Sequence, residues 1–356
     1  MTTELGEVNE TAIAKLCSEV AELYGTGSQV VVVTSGAIAA GVQATGQLKS
    51  RPSDLETLQA IASVGQPKLM RVYAKWLERY GLSLGQILLA PNDFSNRKQY
   101  LQARQTIKRL LELGVVPVVN ENDPVADDEI RFGDNDRLAA LVANMINADR
   151  LVILTDTAGL YSKDPRFNSD ATLIEDVQVI SREIELIAGD SGTTVGSGGM
   201  ASKLAAAKIA TWSGIGVTIC DAKRKDVLID ACYGKDGVGT TVAPSPRNIG
   251  SRKLWLAFAV EPRGQITVDG GATRALAENG RSLLAPGVLK ATGDFDEGEL
   301  VEVLDEGGSL VARGLALISS GDLERFTENS GATLVDGPSP VVIHRDDMVV
   351  LCDLAL

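Results

Sequence analysis

The chain has 356 residues, 44% apolar, 23% charged and only 4% aromatic, which allows about two domains with cores of aliphatic side chains. Its formal net charge of −13 argues against a general nucleic-acid coat, which needs clustered Lys and Arg. No apolar run approaches the roughly 18 residues of a membrane helix. The start MTTELGEVNE lacks the basic-then-apolar character of a secretory signal, and Cys17, Cys220, Cys232 and Cys352 are scattered without CxxC spacing, so the expected setting is cytoplasmic with free thiols.

Residues 9–24 place Ile13, Leu16, Val20 and Leu23 at helical spacing, with Asn9 or Thr11 as the cap. After a polar turn, the run Val30–Val33 stops at Thr34-Ser35-Gly36 and passes into AIAAG, which reads as buried strand, turn and helix. A further helical stretch, expected to be kinked or broken by Pro67, precedes a strand at Leu84–Leu89. A helix over Arg97–Leu113 leads into a strand at Val115–Val119, and one near Arg137–Met145 leads into Leu151–Leu154. The helix Met200–Trp212 precedes Val217–Cys220. This alternation over residues 1–250 predicts an α/β three-layer sandwich, with helices on both faces of a mostly parallel sheet. Ligands then bind beyond the carboxyl ends of the strands.

Near residues 245–262 the texture changes. PSPRNIGSRK marks a boundary, with Leu254–Val260 leading across it, and residues 262–356 read as a small β-rich domain of short strands and frequent glycines. That second domain holds seven Lys and Arg against sixteen Asp and Glu, so it should repel a phosphate backbone.

Four strand ends are unusually polar. In VVVVTSGA (30–37) small residues open a helix and let backbone amides and the Ser35 hydroxyl approach an anion, although Ser and Gly are also ordinary turn residues. VVPVVNENDPVADDEIRFGDND (115–136) carries Asn120 and Asp123 after a strand and Asp134, Asn135 and Asp136 at a helix start. Carboxylates bind an ammonium group and Asn donates to a carboxylate, so this stretch suits a zwitterionic amino acid; a solvated acidic hairpin is the plainer alternative. Thr155 and Asp156 end the third strand, where Asp either meets ribose hydroxyls or a metal or caps a turn. GSGGMASKLAAA (196–207) sets amide donors and Lys203 where phosphates can bind, without the Walker A spacing. Phosphoryl transfer needs mainly positioning and charge neutralisation, which such loops supply. The single histidine, His344, and the lack of a GxSxG elbow disfavour histidine-based and hydrolase chemistry.

VTSGAIAAG, NENDPVADDEIRFGDND, TDTAGLYSKDPR and GSGGMASKL, in this order, resemble the glutamate 5-kinases of the amino acid kinase superfamily. GQITVDGGATRAL, GRSLLAPGV, FDEGELVEV and HRDDMVVL resemble their PUA domain, a β fold common in RNA-modifying enzymes. The resemblance implies the amino acid kinase fold and ATP- and Mg²⁺-dependent phosphorylation of the L-glutamate side-chain carboxylate. The product is γ-glutamyl phosphate, which a reductase of proline synthesis consumes. It also implies feedback inhibition by proline and a homo-oligomer.

Carried over by position, Ser35, Gly36 and Ala37 would hold glutamate, Asp123 and Asn135 would contact it, and Asn120 and Asp134 would support the pocket. Thr155 and Asp156 would border the nucleotide, and Ser197, Gly198, Gly199, Met200, Ala201, Ser202 and Lys203 would form its phosphate loop. Lys203 would stabilise the transferring phosphoryl group and Asp136 would help orient the catalytic lysines; no residue is assigned to a metal.

One departure stands out. The family begins with an apolar strand ending in a Lys-[ILV]-Gly-[ST]-Ser-type turn, whereas Met1–Glu10 passes directly to the first helix, leaving the family's first phosphate-binding lysine without a counterpart. The expectation is lower activity and stability than in a form extended at its N-terminus. The competing readings are another carboxylate kinase of the superfamily and a catalytically impaired regulatory or RNA-binding protein.

Overall fold

Asn9 opens the first helix, α1 (Glu10–Gly25), its side-chain oxygen accepting from the Ala12 amide at 3.0 Å. The computed structural model describes residues 8–46, 52–125, 135–189, 199–245, 251–258, 262–328 and 340–352. They fall in two compact units, Met1–Asn248 and Ile249–Leu356.

In the first unit α1 buries the expected Ile13, Leu16, Val20 and Leu23, together with Cys17 and Glu19. Then come β1 (Val32–Val33), α2 (Ala37–Thr45) and α3 (Leu55–Glu78). Pro67 lies inside α3 without breaking it, so of the two outcomes expected from the sequence, a kink or a break, the break does not occur. An interior proline costs about 3 kcal/mol, but Leu58, Ile61, Leu69, Met70, Tyr73 and Leu77 are buried on both sides of it, and each such side chain contributes about 1.5–3 kcal/mol. Burial wins.

The chain continues through β2 (Ser83–Leu89), α4 (Pro91–Ser95), α5 (Arg97–Glu112) and β3 (Val115–Glu121). β3 is buried along almost its whole length, as its unbroken apolar run requires. It pairs in parallel with β1 on one side and β2 on the other. Next are α6 (Asn135–Ile146), β4 (Arg150–Thr155), β5 (Asp176–Val177), α7 (Arg182–Gly189), α8 (Met200–Trp212), β6 (Gly216–Asp221), α9 (Val227–Cys232) and β7 (Gly239–Val242). These strands form a second sheet in the order β4-β6-β7-β5, parallel except between β6 and β7. The mostly parallel α/β layering is therefore present, but divided. Among the described residues β1 and β4 each pair on one edge only, and a cavity of about 380 Å³ runs between them.

Burial sets the thiol chemistry. Desolvation pushes Cys17 and Cys220 up to about 12; it raises Cys232 as well, but Cys232 is exposed to solvent and the other two are buried. At pH 8 a thiol-specific chromogenic disulfide is expected to titrate Cys232 readily in the native protein and to reach Cys17 and Cys220 only after unfolding. Native reactivity of all four thiols at equal rates would contradict this packing.

The second unit opens with α10 (Ser251–Phe258), a helix where the sequence suggested only a connecting run. It packs on strands of its own unit through Leu256 and Ala257, which cluster with Leu300 and Val349. There follow β8 (Gly264–Val268), α11 (Gly270–Asn279), β9 (Leu283–Leu284), β10 (Val288–Thr292), β11 (Leu300–Leu304), β12 (Leu310–Leu315), α12 (Ser320–Glu328), β13 (Val341–Ile343) and β14 (Met348–Val350). Five strands form a sheet in the order β10-β8-β11-β12-β14, and β13 pairs with β9. Their core is aliphatic apart from Phe295 and Met348. A buried-side ion pair, Arg313 to Glu302 at 2.6 Å, is completed by Arg313 donating to the Ala257 carbonyl at 2.8 Å, which ties α10 to the sheet.

Candidate active site

The carboxyl ends of β1 and β3 meet at one side chain. Asn135, the first residue of α6, donates from Nδ2 to the Asn120 side-chain oxygen at 2.8 Å and to the Thr34 carbonyl. Asn120 is buried at the end of β3, and its oxygen also accepts from the Glu121 amide at 2.9 Å. Thr34 is fixed from two further directions, its amide donating to Val119 at 2.9 Å and its hydroxyl lying 2.8 Å from the Tyr73 hydroxyl. Burial pushes the Tyr73 phenol well above its ordinary value, so that hydroxyl stays protonated as a fixed partner.

Beyond Thr34 the chain turns sharply. Gly36 has φ of 112°, a left-handed conformation that glycine adopts without a Cβ penalty. Ser35 is exposed at the turn and Ala37 is buried behind it as the first residue of α2, whose N-cap supplies no side-chain hydrogen bond. The turn's position is set by the helix pair beneath it. A Cβ on Gly65 of α3 would lie 1.7 Å from the Ala37 carbonyl oxygen, and one on Gly41 would lie 2.0 Å from that of Ile61, so α2 and α3 touch backbone to backbone. Asp123 opens a short 3-10 turn, Asp123–Val125, that packs on α3.

The next residue of α6 faces another partner. Asp136 pairs with Lys203 of α8, Oδ2 to Nζ at 2.9 Å, with the Lys203 side chain 10% exposed and that of Asp136 21%. A cation this far from water requires a counter-charge. Gly199 precedes α8 without a side-chain cap, Met200, Ala201, Ser202 and Lys203 form its first turn, and the Ser202 hydroxyl donates to the Gly199 carbonyl at 2.8 Å. At the end of β4, Thr155 donates to the Asp156 carboxylate at 3.1 Å, and its carbonyl accepts from Ala222 at 2.8 Å. Asp156 also sits near enough to Arg166 to raise that guanidinium's pKa, secondary to the larger effect of Asp164 beside it.

Thr34, Ser35, Asn135 and Asp136 line one continuous cavity. Asn135 and Asp136 thus link the polar end of the first sheet to the cationic start of α8. Asp134, Ser197 and Gly198 lie outside the described residues. A buried polar residue beside the site, Gln66, escaped the sequence reading. Gln66 of α3 donates to the Glu121 carbonyl at 3.4 Å, and the Glu121 side chain is itself buried. The signal for Gln66 was available, since it sits between Ala62 and Met70 on the buried face of α3, where an amide has no packing reason to be.

Residues 3–221 match the model of the amino acid kinase family, and residues 264–336 match that of the PUA domain. A glutamate 5-kinase of Geobacter sp. (strain M21) is 44% identical over 99% of this chain and 95% of its own. One from Caldanaerobacter subterraneus subsp. tengcongensis is 43% identical with the same shares of each chain. Among solved structures, carbamate kinase from Giardia lamblia bound to AMP-PNP is 19% identical, with a TM-score of 0.47 over 66% of this chain and 89% of that one. Nearly full-length identity at this level, joined to both domain matches, shows that the chain belongs to the glutamate 5-kinase family.

Proposed function

We infer that the chain transfers the γ-phosphoryl group of ATP to the side-chain carboxylate of L-glutamate, and that the joint start of α6 and α8 is where it happens. The observation carrying this reading is the pair of adjacent residues Asn135 and Asp136, one bonded to the strand-end amide and carbonyl, the other to Lys203. In this reading a carboxylate oxygen of glutamate attacks the γ-phosphorus, the bond to the β–γ bridging oxygen breaks, and ADP leaves with γ-glutamyl phosphate as product.

Each residue then has a stated task. Ser35, Gly36 and Ala37 present a hydroxyl and helix-start amides to glutamate's carboxylate. Asp123 takes the ammonium group, Asn135 binds the amino acid, and Asn120 and Asp134 hold the pocket's shape. Thr155 and Asp156 border the nucleotide, residues 197–203 cradle its phosphates, and Lys203 neutralises charge as it moves to the bridging oxygen. Asp136 aims Lys203. Mg²⁺, when bound with the nucleotide, would supply further neutralisation of phosphate charge; no side chain of this chain is assigned to it.

The working division is a kinase domain over 1–250 and a PUA-like domain over 262–356, consistent with the two compact units. A cytoplasmic setting, a homo-oligomer, proline as feedback inhibitor and a reductase that consumes the labile acyl phosphate complete the reading. Among the described residues no helix is long and apolar enough to cross a membrane.

Incubation with glutamate, ATP, Mg²⁺ and hydroxylamine is expected to give the γ-hydroxamate in proportion to ADP. Turnover of N-acetylglutamate alone would overturn the substrate assignment. Asn135→Ala should raise the KM for glutamate about 10–100-fold with a smaller change in kcat, because it removes a ligand contact and the two hydrogen bonds to Thr34 and Asn120 that shape the pocket, each worth about 0.5–1.5 kcal/mol. Steady-state ADP release against glutamate concentration measures the split.

A further inference from the structure

Tyr73 is fully buried in an aliphatic cluster that includes Leu69, Met70, Leu77, Val116 and Val118. A phenylalanine would pack there equally well, and a hydroxyl taken out of water costs stability unless it is bonded. The phenol oxygen lies 2.8 Å from the Thr34 hydroxyl, at the end of β1.

Donor direction in that pair is settled one residue further on. The Thr34 hydroxyl also lies 3.2 Å from the Ser35 carbonyl oxygen, which can only accept. Thr34 has one hydroxyl proton and gives it to Ser35, so its oxygen receives the proton of Tyr73. The bridge thus runs from the phenol on α3, through Thr34, to the carbonyl of the turn. The peptide joining Ser35 to Gly36 is trans, and in a trans peptide C=O and N–H point in opposite directions. With the carbonyl drawn back to Thr34, the Gly36 amide points to the open side of the turn, where Ser35 is exposed. That amide makes no hydrogen bond among the described residues. Gly36 lacks a side chain to restrict its own rotation, so the plane of this peptide has to be held from outside. Thr34 does so, and its carbonyl accepts from Asn135 as well. One threonine therefore orients two groups at the glutamate end of the site.

We propose that Tyr73 is a positioning residue for glutamate: through Thr34 it fixes the Ser35–Gly36 peptide so that the Gly36 amide faces the substrate carboxylate before substrate arrives. The inference rests on the phosphoryl-transfer reading of this turn. Tyr73 does not touch substrate. Without its hydroxyl the peptide samples other orientations, and glutamate binds only the fraction that presents the amide. The contact is the same before and during transfer, so its loss falls on binding rather than on the chemical step. The nucleotide-side residues Thr155, Asp156 and Lys203 are held by other bonds.

The test is steady-state kinetics on the full chain with Tyr73→Phe, Thr34→Val and the double variant. Each single variant keeps the packing volume and cuts one link. Each should raise the KM for glutamate about 3–10-fold, the usual effect of losing one hydrogen bond. The kcat and the KM for ATP should stay within about twofold. The double variant should be no worse than Thr34→Val alone, because both changes cut one bridge. Amide exchange gives a second readout: saturating glutamate should slow exchange at Gly36 in the wild type, and less so in Tyr73→Phe. Equal factors on the KM of glutamate and ATP, a loss confined to kcat, or a double variant showing the product of the two single effects would leave Tyr73 a packing residue only and overturn the proposal. So would a Gly36 amide that glutamate does not protect. γ-Hydroxamate formed by the wild type together with an unchanged KM in Tyr73→Phe overturns this inference alone; no hydroxamate from the wild type overturns the phosphoryl-transfer reading and this inference with it.

Discussion

Lys203→Ala is expected to lower γ-hydroxamate formation about 10²–10³-fold, the usual effect of removing one preorganised charge-stabilising donor. The ammonium is 2.9 Å from Asp136 and almost wholly shielded from water, so its field is strong and its position is set before substrate arrives. The loss should fall on kcat, because charge builds at the bridging oxygen only as the bond breaks. Asp136→Asn separates aiming from neutralisation. It keeps the volume and a hydrogen-bonding partner but removes the counter-charge, and should reduce kcat by less than the lysine deletion. Wild-type rates for Lys203→Ala, measured with saturating glutamate and ATP, would remove Lys203 from the transferring phosphoryl group.

The second large effect is expected more remotely from the chemistry, at Gly65. An added methyl there would sit 1.7 Å from the Ala37 carbonyl oxygen and 2.5 Å from the Gly41 amide nitrogen, both backbone atoms that cannot rotate away. Helices α2 and α3 must then separate, at a cost of about 1–3 kcal/mol. Ala37 begins the helix that follows the Ser35-Gly36 turn, so the turn moves with it. A misplacement of about 1 Å costs about 10²-fold in rate, and Gly65→Ala should lower kcat/KM for glutamate by that order while the melting temperature falls by several degrees. Gly25→Ala is the control, since a Cβ there meets nothing within 4 Å. Full activity of the Gly65 variant would show that the turn is not held by this helix contact.

Much of this was legible in the sequence because burial leaves a periodic trace. The aliphatic runs at 30–33, 115–119 and 151–154 mark strands, and Asn9 marks a helix start, since a buried strand or a cap demands those residue types locally. The polar ends of the runs pointed to Asn120, Asn135 and Asp136 for the same reason. What periodicity does not encode is which edge pairs with which. The antiparallel pairing of β6 with β7, and the division into two sheets at β1 and β4, depend on long-range partners. At Pro67 the local rule allowed a break, and tertiary packing on both sides of the residue carries the helix through it. Gln66 and Tyr73 were missed because both come from the middle of a helix, far from any strand end, and reach the site through the helix's buried face.

The adjacency of Asn135 and Asp136 has a consequence for what the chain can tolerate. Neighbouring residues of a helix are turned by about 100° and advanced by about 1.5 Å, so α6 works as a ruler whose first notch meets the strand-end groups of Thr34 and Asn120 and whose second meets Lys203. A one-residue insertion between those notches would swing every later contact of α6 by more than a quarter turn.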